Sequence, residues 1–352
     1  RSIPAYVERS DFILILVPSL YHSDRKVPTC YRTWRRRGWC LLELYAAAMA
    51  RDSSNPPLLV RSERGTPMWM SPSEVMKLSI GLADFTCCQR NHIITTETQK
   101  VMNGGGEVKR IPCDKPIAGG ILEHLVQAKV NHLFNAVGDM VMARFHICLK
   151  QWWMRGLKNN ECVVADKNIT SIQKFKELLR WPADYSWIDT SGVSLLIYAV
   201  VANAKNVVKE ILKELRRNLK GKEYTRRLEC RVRDEGFVSL GIPGRTTALF
   251  AAMAWASSDI VTMLLDAGAN IENTDVMGND AFMYASVYGR PKNLQCWLER
   301  VKDWDLSRQN TVLGGCALSI AVYMGANNLE TVKVLLDAGA SLDYRTFSGS
   351  TL

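Results

Sequence analysis

The phrase Leu264-Leu265-Asp266-Ala267-Gly268-Ala269 recurs unchanged as Leu335-Leu336-Asp337-Ala338-Gly339-Ala340. The copies stand 71 residues apart, close to twice a period of about 33 residues. A degenerate copy is expected between them, and Cys296-Trp297-Leu298 stands where its leucine pair belongs. Chemically the phrase ends a helix. Two leucines bury the last turn, and the glycine takes the left-handed conformation that terminates it. Small Ala267 and Ala269 leave room for a tight reversal.

Working outward, the helix-opening positions fall at Ser194, Thr247, Asp280, Cys316 and Thr351, in steps of 53, 33, 36 and 35 residues. Ser, Thr and Asp suit an N-cap because their side-chain oxygens accept free backbone N–H groups. Gly192, Gly278, Gly314 and Gly349 precede four of these caps by two residues, and Gly244 precedes Thr247 by three. Small pairs follow inside the first helix, as in Ala251-Ala252, Ala285-Ser286 and Ala321-Val322. The second helices carry Val207-Val208, Ile260-Val261 or Thr331-Val332 and then Ile211-Leu212, Leu264-Leu265 or Leu335-Leu336. Each such face is buried by stacking on the next repeat.

This pattern resembles the ankyrin family, whose helix opening reads G-x-T-P-L-H-x-A-A. The resemblance spans about 186–352, with about four repeats, a truncated fifth and an insertion near 216–243. The family proline is replaced by Leu195, Ala248, Ala281 and Ala317, and its histidine by Ile197, Phe250, Met283 and Ser319. Each repeat thereby loses a preorganised first turn and an interlocking hydrogen-bond group, so an irregular stack is expected.

The resemblance implies a protein partner held on a concave face, without a common active site. Eight residues after the caps stand Ala202, Trp255, Tyr288 and Met324. Aromatics and methionine there suggest a binding hot spot, unless the insertion or the helical middle covers them. On the exposed reading, Trp255→Ala with Tyr288→Ala weakens partner capture and spares stability. Asp275, Val276, Met277, Tyr344 and Phe347 are finger-tip candidates. The insertion region is basic, with eleven Lys or Arg against four Glu between Lys205 and Arg233. It is read as a solvated loop, because no nucleic-acid motif contains it.

Toward the N-terminus, Phe12 to Val17 is a short apolar run that reads as a buried parallel strand. Trp39 to Met49 is a helix by composition, stopped by Pro56-Pro57, and Leu58-Leu59-Val60 reads as the next strand. Strand, helix and strand make a doubly wound α/β unit. Ser10, the strand, Ser19, Tyr21 and Gly38-Trp39-Cys40-Leu41-Leu42-Glu43-Leu44 resemble the second half of a TIR-type domain over about 2–62. In NAD-cleaving members the motif glutamate is catalytic, which carried over is Glu43, with NAD as the bound nucleotide. The interval from Tyr21 to Trp39 is longer than in that family. The other reading makes Glu43 a helix carboxylate paired with one of Arg35 to Arg37.

Cys87, Cys88, His92 and Cys113 offer soft ligands for zinc. Their spacing matches no known zinc motif, since the first pair is adjacent, and a packed thiol cluster is the alternative. Gly104-Gly105-Gly106 reads as a loop. From Ile117 to Phe134 and from Met140 to Trp153, apolar residues recur at helical spacing and predict an αα-hairpin broken at Gly138. His124, His132 and His146 lie on its polar face.

The chain is therefore expected to be mainly α. An ankyrin-type solenoid follows a helical scaffold over 116–185 and a partial TIR-like α/β segment with a loop-rich extension over 1–115. Its 352 residues exceed one compact core. No apolar run approaches the length of a membrane span. Ten cysteines suggest reduced thiols and a cytoplasmic setting. A start without methionine and an end inside a repeat suggest a piece of a longer protein. The expected function is an intracellular scaffold or signalling adaptor that binds protein and needs no cofactor. The alternative is a TIR-like NAD hydrolase regulated by its repeats.

Overall fold

The computed structural model describes all residues except 1–5, 8, 24–25, 51–55, 63, 96–107, 158–168, 185–186, 325–328, 350 and 352. The Gly104-Gly105-Gly106 loop lies outside the described residues. Two compact units are formed, Arg1–Asp139 with Trp153–Cys162, and Met140–Trp152 with Val163–Leu352.

In the first unit, β1 (Leu14–Leu16) runs parallel to β4 (Leu58–Val60) in the register Leu14↔Leu58. Between them come the antiparallel pair β2 (Leu20–His22) and β3 (Val27–Thr29) and the helix α1 (Gly38–Met49). β5 (Met68–Trp69) pairs antiparallel with β4. The strand–helix–strand order is the expected one, and β2–β3 fills the long interval after Tyr21. One expectation needs correction. β1 is buried on one face only, with Ile15 inside while Phe12, Leu14 and Leu16 are exposed. Ile15 and Leu59 share the core of this unit with Leu41, Leu44 and Tyr45 of α1, so the strand alternates as a half-covered strand does.

β6 (Ile93–Thr95) and β7 (Val108–Arg110) form a hairpin in the register Ile93↔Arg110. It leads through Cys113 into α2 (Lys115–His132), which ends in a π-turn closed by left-handed Gly138. The next helix, α3 (Met140–Trp153), belongs through Trp152 to the second unit. The helical scaffold expected over 116–185 is thus divided between the two units.

The second unit stacks helix pairs. α4 (Ile172–Leu178) precedes α5 (Leu195–Val201) and α6 (Lys205–Asn218), and α7 (Gly221–Leu228) fills part of the insertion. The pairs α8 (Ala248–Trp255) with α9 (Ser258–Asp266), α10 (Ala281–Val287) with α11 (Pro291–Arg300), and α12 (Ala317–Met324) with α13 (Leu329–Asp337) follow. Ser194 Oγ accepts the Ile197 N–H (3.2 Å) and Asp280 Oδ1 the Met283 N–H (2.9 Å), as N-caps should. Thr247 opens α8 with no side-chain cap.

The repeated phrase ends α9 and α13 as its chemistry requires. Gly268 and Gly339 stand at φ +86° and +92°, and the N–H groups of Ala269 and Ala340 reach back to the carbonyls of Leu264 and Leu335 (3.0 Å each). The copy without a glycine places Asp303 at φ +57° instead. Trp297, fully buried, fills the leucine site and packs edge-on against Trp304 at 5.0 Å. Asn293 lashes this repeat to the one before, its Nδ2 donating to the carbonyls of Ala252, Met253 and Ala256 at 3.1 Å.

The basic insertion is helical where a loop is expected, and its charges are partly used within the unit. Arg226 and Arg227 pair with Glu223, Lys205 with Asp259, and Arg216 donates to the Asp266 carbonyl. No helix among the described residues is long and apolar enough to cross a membrane.

Candidate functional site

The chain turns at the edge of three repeats are set by a short polar device. In the first, Asp189 Oδ1 accepts the N–H groups of Ser191 and Val193 (2.9 and 3.0 Å) while Oδ2 accepts the Tyr198 hydroxyl (2.9 Å). Asp275 repeats this, accepting Met277 N–H and Asn279 N–H (2.8 and 2.9 Å) and the Tyr284 hydroxyl (3.2 Å). Asn310 accepts Leu313 N–H (2.9 Å) and Gly315 N–H (3.3 Å) in the later copy. Burial and the neighbouring carboxylate push both tyrosine hydroxyls well above their ordinary pKa. A tyrosine on the first helix thus supplies the interlocking hydrogen bond that loss of the histidine was expected to remove. Asp275, a candidate contact residue by sequence, is 2% exposed and structural.

The fingers so shaped are laced to one another. Thr311 N–H donates to the Met277 carbonyl (3.0 Å) and Phe347 N–H to the Leu313 carbonyl (3.2 Å). Phe347 lies so close over Gly314 that a Cβ there would stand 2.8 Å from its ring. The outcome is a row of apolar tips: Val276 and Met277, Val312 and Leu313, and Phe347. Val312, Leu313 and Phe347 are more than half exposed, and Val276 and Met277 about 40%. Val312 and Leu313 escape the sequence reading, although both precede Gly314 as Val276 and Met277 precede Gly278. Tyr344, a finger-tip candidate by sequence, is buried.

The column read as a hot spot is not a surface. Trp255 is 1% exposed and Tyr288 6%. Their rings meet edge-on at 5.1 Å, and Trp152 of α3 caps Tyr288 at 5.9 Å. The Tyr288 hydroxyl donates to the Gly241 carbonyl (3.1 Å). Farther along α3, Phe145 stacks against Tyr198 and Phe237 at 4.8 and 4.9 Å. Arg144, 2% exposed, donates to Asp189 (3.4 Å) and to the carbonyls of Leu179 and Arg180 (3.0 and 3.1 Å). α3 therefore lies over the ends of the first helices and fills the place given to a partner. With both rings buried, removing Trp255 and Tyr288 is expected to cost stability, as the covered reading of the column has it. The Met324 side chain lies outside the described residues.

Residues 249–346 match the family model for ankyrin repeats, in three copies. No curated protein matches the chain. The ankyrin match begins in α8, and the pair α5–α6 before it carries the same Asp–Tyr device as the matched pair α10–α11.

The first unit holds two further candidates. Glu43 on α1 lines a cavity of about 310 Å³ with Tyr6, Ile13, Leu14, Trp34 and others. Burial raises its carboxyl pKa, and Arg37 opposes the rise. Of the three arginines considered as partners, Arg35 pairs with Glu74 and Arg36 with Asp84. Cys87, Cys88, His92 and Cys113 converge, with their ligand atoms all within 4.8 Å of one another. Burial, with hydrogen bonding from its own S–H toward Cys113 and Cys87, pushes the Cys88 thiol up to about 12. His124 and His132 stand on α2, apart from this cluster in sequence, and His146 is buried with Nδ1 against the Met142 carbonyl (2.7 Å).

Proposed function

We propose that the chain is a protein-binding module, a cytoplasmic scaffold or signalling adaptor. Its partner is held by the apolar finger tips Val276, Met277, Val312, Leu313 and Phe347 at the rim of the concave face. Ankyrin repeats in general mediate protein–protein binding. The observation that supports this site is the exposure of one apolar pair after another, on fingers fixed by Asp275 and Tyr284 in one, by Asn310 in the next, and by backbone bonds between fingers. A rigid row of exposed apolar side chains loses little entropy when it is covered, which favours tight association.

Val312→Asp combined with Leu313→Asp tests the reading. Binding to a partner recovered with the native chain is expected to weaken by roughly 30-fold or more, as loss of a central anchor does. The thermal midpoint should stay within about 2 °C, since exposed substitutions usually change stability by under about 0.5 kcal/mol. Unchanged affinity by titration calorimetry would remove the fingers from the interface.

A second reading is favoured by the position of Glu43, exposed on the lining of an open cleft with Tyr6 and Trp34. A carboxylate beside a nicotinamide ribose can stabilise an oxocarbenium-like transition state, as the TIR-type resemblance implies. On this reading the full chain consumes NAD and Glu43→Gln abolishes turnover while the protein stays folded. An absence of turnover from the folded native chain excludes it.

A further inference from the structure

We propose that Cys87, Cys88, His92 and Cys113 form a structural zinc site that closes the hairpin of the first unit. The four residues come from three local pieces. A single helical turn, Thr86–Gln89, presents the two adjacent cysteines. Asn91 and His92 follow, both left-handed at φ +49° and +59°. The β6–β7 hairpin then returns the chain to Cys113, with Ile111 N–H donating to the His92 carbonyl (2.9 Å).

The three edges that meet at Cys88 fit one metal, and all four ligand atoms lie within 4.8 Å of one another. Cys88 Sγ lies 3.9 Å from Cys87 Sγ, 3.7 Å from Cys113 Sγ and 3.6 Å from His92 Nε2. A tetrahedron with Zn–S bonds of about 2.3 Å and a Zn–N bond of about 2.0 Å has S···S edges of about 3.7 Å and S···N edges of about 3.5 Å. Three sulfurs and one imidazole are the soft donor set that zinc takes in closed structural sites, with no position left for water or substrate. A sulfur–sulfur distance of 3.7 Å is far from the disulfide bond length of about 2.05 Å.

The surroundings suit a thiolate site. Asp114 N–H points at Cys87 Sγ (3.4 Å), the kind of outer hydrogen bond that holds a metal-bound sulfur. The Asp114 carboxylate accepts the Trp39 Nε1–H (3.1 Å), joining the site to α1. Two consecutive non-glycine residues in the left-handed region carry strain, and here they aim the imidazole at Cys88. A metal that binds only the folded arrangement compensates such strain, because its binding free energy is folding free energy. The adjacent pair Cys87-Cys88 departs from the usual two-residue separation, and the turn of helix still sets both sulfurs on one centre.

The test uses the full chain, expressed with zinc and purified under reduction. Elemental analysis is expected to give about one zinc per chain. Exchange for cobalt(II) should give ligand-field bands of a tetrahedral site with thiolate charge-transfer absorption. Cys88→Ser combined with Cys113→Ser should reduce zinc to background, whereas Cys30→Ser, outside the cluster, should leave it unchanged. Because the double variant can lose metal by misfolding, His92→Cys is the second arm. It should keep zinc and shift the cobalt spectrum toward a four-thiolate pattern. Zinc at background in the native chain, zinc kept by the double serine variant, or a cobalt spectrum unmoved by His92→Cys would each overturn the proposal.

Discussion

Arg144→Ala should unfold the start of the repeat stack more readily than any surface change. The guanidinium is 2% exposed, and the Asp189 side chain facing it is fully buried. It also donates to the carbonyls of Leu179 and Arg180 and lies 5.0 Å over the Trp181 ring. Alanine leaves a buried carboxylate without its counter-charge and two carbonyls without their donor. Breaking one side of a buried pair costs about 3–5 kcal/mol, which lowers the midpoint of a unit this size by roughly 10 °C. Arg144→Met with Asp189→Asn should recover part of the loss, since removing both charges also removes the cost of burying them. Hydrogen exchange should localise the opening to α3 and α5. A loss below about 1 kcal/mol by chemical denaturation would show that α3 is not clamped to the first finger.

Trp255→Ala should be comparably severe. The indole is buried at the end of α8, packed edge-on against Tyr288, which is covered in turn by Trp152. Removing a buried tryptophan costs about 3–5 kcal/mol, through lost apolar transfer and the cavity left behind. A further part comes from the aromatic pair itself, about 0.5–1.5 kcal/mol. Tyr288→Phe should cost less, because only the hydrogen bond to the Gly241 carbonyl is lost. Of the two sequence readings of this column, the exposed one expects the opposite for Trp255, weakened binding with stability intact, and the one in which the helical middle covers it expects this loss. A denaturation midpoint unmoved by Trp255→Ala would restore that surface reading.

The contrast shows which features of this chain are local. The ends of α9 and α13 are legible because a leucine pair, a glycine and two alanines carry the whole device within six residues. So are the stacked pairs, whose apolar faces recur at a fixed period. The parallel strands β1 and β4 follow from an apolar run, a helix former and a second run. Burial of Trp255 and Tyr288 is legible only as one of two alternatives, because the helix that covers them, α3, lies over a hundred residues earlier and has no repeat pattern to place it. The convergence of Cys88 and Cys113 depends likewise on the register of β6 against β7. Asp303 takes the left-handed place of a glycine because the chain must still reverse where Trp297 and Trp304 pack. Its sequence, Val301-Lys302-Asp303, carries no sign of this.

On the proposed function, partners meet the finger tips, while the aromatic column beneath α3 is interior. A photo-crosslinking residue at position 313 of the full chain, irradiated in its native cell, tests this most directly. A discrete protein adduct is predicted from position 313 and none of that mass from exposed position 209 on α6. The adduct should vanish when Val276→Asp and Phe347→Asp are added. The same adduct from both positions, or one that survives the two aspartates, would contradict the account.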